Sequence, residues 1–155
     1  MRRCPFQILA FPFIRSKNKN YEYCIFKRSD ELYWQGIAGG GEESESPFQA
    51  AKREIQEESG ISISTKLFQL ETTSSLPVHY FVGKEFWEEN KYVIPNYCFA
   101  VEVFSYHICL SNEHSEHRWV DYQEGKKLLY WDDNKTALWE LNEKLKNDDL
   151  HYLTT

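Results

Sequence analysis

Apolar positions fall along this chain in two rhythms. Residues 6–14, FQILAFPFI, are apolar almost without a break over one strand length, and YEYCIFKR at 21–28 alternates. The polar SKNKN between them makes the pair a hairpin. A short aromatic strand is expected around Tyr33–Ile37, running into a glycine run that reads as a flexible loop. KLFQLETTSS (66–75), VHYFVGKEF (78–86) and NYCFAVEVF (96–104) predict three more strands, and a last one is expected near His117–Val120 after a polar loop. Helical spacing takes over in two places, from Pro47 to Ser59 and from Asp132 to Lys146, where Glu140 and Lys144 stand i,i+4. No internal repeat or linker interrupts this order. It predicts one α+β domain over residues 1–155, a mixed β-sheet sandwiched between α-helices.

The ends of the first helix are written in its sequence. Ser46 is placed as N-cap, Pro47 as the first helical residue, and Gln49 completes a capping box with Ser46. Gly60 suits the left-handed position past the C-terminus. At about 100° per residue, Phe48, Ala51 and Ile55 share one stripe that must face the core. Glu54, Glu57 and Glu58 then stand side by side along the edge of that stripe.

Composition narrows the function classes. The net charge of −6, with no Lys/Arg stripe, argues against binding a nucleic-acid duplex. No stretch reaches the roughly 20 apolar residues of a membrane span. The start, MRRCPFQILAFPFIRS, mimics a signal peptide, but Pro5 and Pro12 interrupt it and a first strand is the better reading. Cys4, Cys24, Cys98 and Cys109 form no CxxC pair and have no His at zinc spacing. They are expected to be buried or half-buried thiols of a cytoplasmic protein.

Like charges one turn apart cost stability unless something positive lies between them. The acidic helix therefore admits two readings. One is a solvated face relieved by Lys52 and Arg53. The other is a hard-cation site, since Mg²⁺ or Mn²⁺ takes a few carboxylates and completes its shell with water and substrate phosphate. The glycines before the helix would offer backbone N–H groups to anionic oxygens.

From Gly39, five residues lead to Glu45, and seven more to Arg53-Glu54-Ile55. One further residue leads to Glu57-Glu58, and one more to Gly60-Ile61. This resembles the Nudix box at all nine of its fixed positions. The resemblance implies hydrolysis of a nucleoside diphosphate linked to another moiety, with Mg²⁺ as cofactor and Mn²⁺ as a substitute. It makes Glu54, Glu57 and Glu58 the metal ligands and Arg53 their orienting partner. Glu45 and Gly39 support the loop, and Glu42 and Glu43 are left as ordinary loop charges. Glu57 within the box, or an acid outside it, would act as general base. LSNEHSEHRWV (110–120) resembles the corresponding loop of two subgroups, the dihydroneopterin triphosphate pyrophosphatases and the diadenosine tetraphosphate hydrolases. It places Glu113 at the position facing the metal, with Glu116 as fallback.

The approach KRSDELYWQGIAGG and the late KLLYWDDNKTALWELNEKL are similar to the first subgroup, although Ile37-Ala38 replace the Pro-Gly common before the loop glycine. The expected reaction is pyrophosphate release from a nucleoside triphosphate (dATP-like) or a pteridine analogue. A diadenosine polyphosphate hydrolase and a non-catalytic nucleotide-binding domain are the alternatives. Aromatics crowd Leu76–Asn96, and Tyr80, Phe81, Phe86 and Trp87, with Trp34, are candidates to hold a purine or pterin ring, or equally to cap the core. Nudix domains often dimerise, so a homodimer is a further expectation.

Overall fold

A computed structural model describes residues 3–16, 20–62, 64–81, 87 and 90–151. Its strands are β1 (Arg3–Arg15), β2 (Tyr21–Arg28), β3 (Trp34–Gln35), β4 (Ile37–Glu42), β5 (Leu67–Pro77), β6 (Val93–Glu102) and β7 (His114–Val120). The helices are α1 (Pro47–Ser59), α2 (Tyr122–Leu128) and α3 (Asp132–Lys146). The seven strands form one sheet, antiparallel except for the β1–β6 pair, so the sheet is mixed as expected.

β1 is the axis of the fold. Its even residues Ile8, Ala10 and Ile14 pack with Ala50, Ala51 and Ile55 of α1. Its odd residues Leu9, Phe11 and Phe13 pack with Ala137, Leu138, Leu141 and Leu145 of α3. β2 and β6 divide the same way, Cys24, Phe26, Phe99 and Val101 on the α1 side and Tyr23, Ile25, Cys98 and Ala100 on the α3 side. The unbroken apolar run at 6–14 follows from this two-sided burial.

One edge of β1 is shared between two partners. Residues 13–15 pair with 21–23 of β2, while residues 3–10 pair with 37–42 of β4. β4 thereby departs from the hairpin and delivers its end to α1. Asn134, in the first turn of α3, accepts from Gly36 N at 2.8 Å and fixes the junction between β3 and β4.

The structure departs from the sequence expectations in four places. The glycine run is strand β4, not a loop, because β1 supplies its hydrogen-bond partners. Val78–Tyr80, expected in a strand, is a 3-10 turn entered from Pro77, and residues 82–86 of that stretch, Phe86 included, lie outside the described residues. α2 was not anticipated: it has seven residues, Asp121 caps it by accepting from Glu124 N at 2.9 Å, and Gly125 packs on Leu138 of α3. Cys109, expected to be at least half buried, is exposed, and all four cysteines are free.

Candidate active site

α1 begins and ends where its sequence said. Ser46 Oγ accepts from Gln49 N at 3.2 Å, and Gln49 Oε1 accepts from Ser46 N at 2.9 Å. Gly60 closes the helix at φ 75°. These caps set the rotation of the helix, and with it the directions of Arg53, Glu54, Glu57 and Glu58.

Arg53 is the centre of the charged cluster. Its Nε and Nη2 grip Glu45 at 2.8 and 3.0 Å in a bidentate pair. Nη1 donates to Glu54 at 2.9 Å and to Glu57 at 3.2 Å, and Nη2 also donates to the Gly40 carbonyl at 2.8 Å. Glu45 in turn accepts from Glu42 N at 2.8 Å. The Glu42 carboxylate, first read as an ordinary loop charge, comes within 3.6 Å of Arg53 Nε. The Arg53 guanidinium holds Glu45 below the usual carboxylate range, and Glu45 holds Arg53 above its own. Gly39 has a steric duty: a Cβ there would run into the Glu54 carboxyl group.

The remaining charge is not compensated. Burial raises the Glu54 carboxyl to about 7 despite Arg53, with Glu57 and Glu113 adding to the rise. Glu58 is 2% exposed, and its Oε2 is buried with no hydrogen-bond partner. Burial first, then the Glu113 carboxylate and the Glu54 charge, push it up to about 10. Glu113 moves down, because Glu58 shares its proton toward it. Two adjoining carboxylates holding one proton are what an acidic site does without a cation.

The orphaned Glu58 Oε2 and the oxygen-only donor set fit a hard divalent ion. The described residues do not form a ready-made metal cage of three acidic, His or Cys groups. Arg53 engages Glu54 and Glu57, whose side chain is 57% exposed.

Glu113 immediately precedes β7, and its carbonyl accepts from Ser29 N at 3.0 Å, which ties the loop to the end of β2. Glu116 does not join the cluster. It lies opposite Lys27 in the β2–β7 ladder and pairs with it at 3.5 Å. Nor do the four aromatic candidates among the described residues converge. Trp34 is buried in the α3-side core, under Arg118 and beside Lys27. Tyr80 is exposed and leans on His79. Phe81 and Trp87 do meet, with centroids 6.3 Å apart. Sequence reasoning missed their neighbour Arg3, whose Cζ lies 5.1 Å from the Phe81 centroid. A basic residue at the start of the first strand has no local pattern that would single it out.

An acidic helix edge held by one arginine, behind a glycine strand and near an acid that immediately precedes β7, fits a hydrolase of phosphate esters or anhydrides. The family model of the NUDIX domain matches residues 8–139. Bis(5'-nucleosyl)-tetraphosphatase [asymmetrical] of Sus scrofa is 32% identical over 129 residues, covering 79% of this chain and 80% of its own. A solved structure from Listeria monocytogenes, described as a candidate NUDIX hydrolase, superposes with a TM-score of 0.84 at 44% identity, covering 97% of this chain and 100% of the other. The dihydroneopterin triphosphate pyrophosphohydrolase of E. coli shares the fold at a TM-score of 0.72 and 22% identity, over 92% of this chain and 99% of its own. The chain belongs to the Nudix family and is a pyrophosphohydrolase acting on phosphoanhydride bonds. Among the described residues no helix is long and apolar enough to cross a membrane.

Proposed function

We propose that the chain is a Mg²⁺-dependent, cytoplasmic enzyme that cleaves a nucleoside triphosphate or dihydroneopterin triphosphate and releases pyrophosphate. The observation that carries the metal dependence is Glu58 Oε2, buried without a donor beside Glu54 and Glu113. Glu54, Glu57 and Glu58 would hold the cation, with Glu113 beside them. Bound there, Mg²⁺ or Mn²⁺ neutralises phosphate charge and makes water acidic enough to attack phosphorus.

The protein's own groups do the rest. Arg53 aims Glu54 and Glu57, and Glu45 anchors Arg53 from the far side. Glu113, which lies beside Glu58, would accept a proton from the attacking water. Glu57 is the second candidate for that step, because it is the most exposed carboxylate of the helix edge. Of the expected aromatic set, the Phe81–Trp87 pair, whose rings meet, is the one we assign to contact a ring beyond the phosphates.

A second reading, asymmetric cleavage of a dinucleoside tetraphosphate, is favoured by the Sus scrofa relative. One experiment separates them. The protein is offered nucleoside triphosphates, dihydroneopterin triphosphate and diadenosine tetraphosphate with Mg²⁺ or Mn²⁺, and the products are identified. Pyrophosphate plus a monophosphate supports the proposal. A nucleoside triphosphate released from the tetraphosphate at higher kcat/KM replaces it with the second reading.

A further inference from the structure

The cation site accounts for one glycine of the run and leaves the next unexplained. Gly39 makes room for Glu54 and Gly41 for the Phe6 ring. Gly40 lies between them in β4, so its Cβ direction is to the opposite face of the strand. A Cβ there would come within 2.6 Å of Nε and Nη2 of Arg3. The Arg3 guanidinium is therefore laid flat on bare backbone at a position the Nudix box leaves open.

Among the described residues no carboxylate forms an ion pair with it. The Phe81 ring covers it at 5.1 Å. Trp87 Nε1 donates to the Arg3 carbonyl at 2.9 Å and fixes this first residue of β1. Arg3 Nε is buried with no hydrogen-bond partner. Arg53, by contrast, contacts four carboxylates. Burial lowers the pKa of Arg3, while the Glu54 charge, close enough to act on it, raises it. A half-buried guanidinium with a free donor costs energy unless an anion completes it. Its planar fork matches phosphate in a bidentate pair.

We infer that Arg3 is a phosphate-binding residue of this active site, receiving a phosphate of the substrate chain on the face of β4 opposite the acidic helix. The inference rests on the substrate being a polyphosphate, as proposed above. Among the described strands β4 pairs with β1 alone, and Arg53 reaches it from the acidic side by donating to the Gly40 carbonyl at 2.8 Å. Because the contact exists before the bond breaks, Arg3 acts on binding more than on turnover.

The test is calorimetric titration of inorganic tripolyphosphate into protein containing Mg²⁺, with Mg²⁺ alone titrated separately. Arg3→Gln is expected to weaken tripolyphosphate binding about tenfold or more while Mg²⁺ affinity stays within about twofold. Arg3→Lys should fall between Arg3→Gln and wild type. Gly40→Ala, which leaves Arg3 in the sequence but displaces its guanidinium, should lose tripolyphosphate affinity as well. On a turned-over triphosphate, Arg3→Gln should raise KM with kcat nearly unchanged. Tripolyphosphate binding by Arg3→Gln equal to wild type overturns the inference, as does the absence of tripolyphosphate binding by wild type. A lowered Tm with unchanged KM also overturns it, because Arg3 would then be structural. Failure of wild type to bind Mg²⁺ would instead sink the proposed function.

Discussion

Two glutamates on opposite faces of the same sheet show how burial alone decides nothing. Glu140 of α3 is 7% exposed and Glu58 of α1 is 2% exposed. Around Glu140 the fold gathers donors: the backbone amides of Glu71 and Thr72 at 2.5 and 2.8 Å, the Thr72 hydroxyl at 2.6 Å and Lys144 Nζ at 2.9 Å. Burial pushes Glu140 up, but these donors outweigh it and leave its carboxyl below the usual range. Around Glu58 the fold sets one backbone donor, at Ala38, against the Glu113 and Glu54 carboxylates, and burial makes the group rise instead. The first is a finished interaction that ties α3 to β5. The second is unfinished, and a divalent ion is what would complete it.

The largest expected effect breaks the Glu58 half of this contrast. Glu58→Gln removes a cation ligand, and kcat/KM should fall on the order of 10³-fold, about 4 kcal/mol. The metal-free variant should melt no lower than wild type, since it buries a neutral group where wild type buries a reluctant acid. Steady-state kinetics beside thermal melts in EDTA check both halves. A variant that kept wild-type activity would remove Glu58 from the site. Glu140→Ala should do the reverse. It orphans two backbone amides and Lys144, and should cost about 2–3 kcal/mol of stability in denaturant unfolding with kcat/KM unchanged.

The pH dependences should also run in opposite directions. Glu54 has a folded pKa of about 7 against an ordinary 4.5. Between those values the folded protein binds more protons than the unfolded chain, so metal-free stability falls as pH rises through that window. Glu58 extends the fall to higher pH. Glu140 is depressed, so its contribution is present above its unfolded pKa and is lost as pH drops through the folded one. Melts in EDTA should therefore show Tm declining from about pH 5 to about pH 8, and Mg²⁺ should flatten that decline as it displaces protons. A metal-free Tm that rose across this range would contradict the assignment.

Much of the acidic side was legible because its signals are local. The capping box, Pro47 and Gly60 fixed α1 to the residue, and its spacing placed Glu54, Glu57 and Glu58 on one edge. What stayed hidden depends on partners distant in sequence. Glycines 39–41 read as a loop because glycine is a poor strand former. They form a strand because β1 pairs with them, and their bareness is set by Glu54, Arg3 and Phe6 reaching in. The donors around Glu140 were equally invisible, except for the i,i+4 Lys144. Trp34 was a candidate ring holder for its type and place, and only packing against α3 shows it as core.

The smallest effect sharpens the comparison at a single loop. Glu113 and Glu116 are three residues apart and chemically identical, yet one lies just before β7 and the other within it, and they meet different neighbours. Glu113 lies against Glu58, which holds its carboxyl below the usual range, whereas Glu116 faces Lys27 in a half-exposed pair at 3.5 Å. Such pairs contribute about 0–1 kcal/mol. Glu116→Gln should leave kcat/KM within about twofold and Tm within a degree or two. Glu113→Gln should lower kcat about 10²-fold or more and flatten the acidic limb of the pH–rate profile, because the proton acceptor is gone. Equal losses in the two variants would mean that the loop shifts on substrate binding. A loss confined to Glu116→Gln would move the general base to the residue this register turns away.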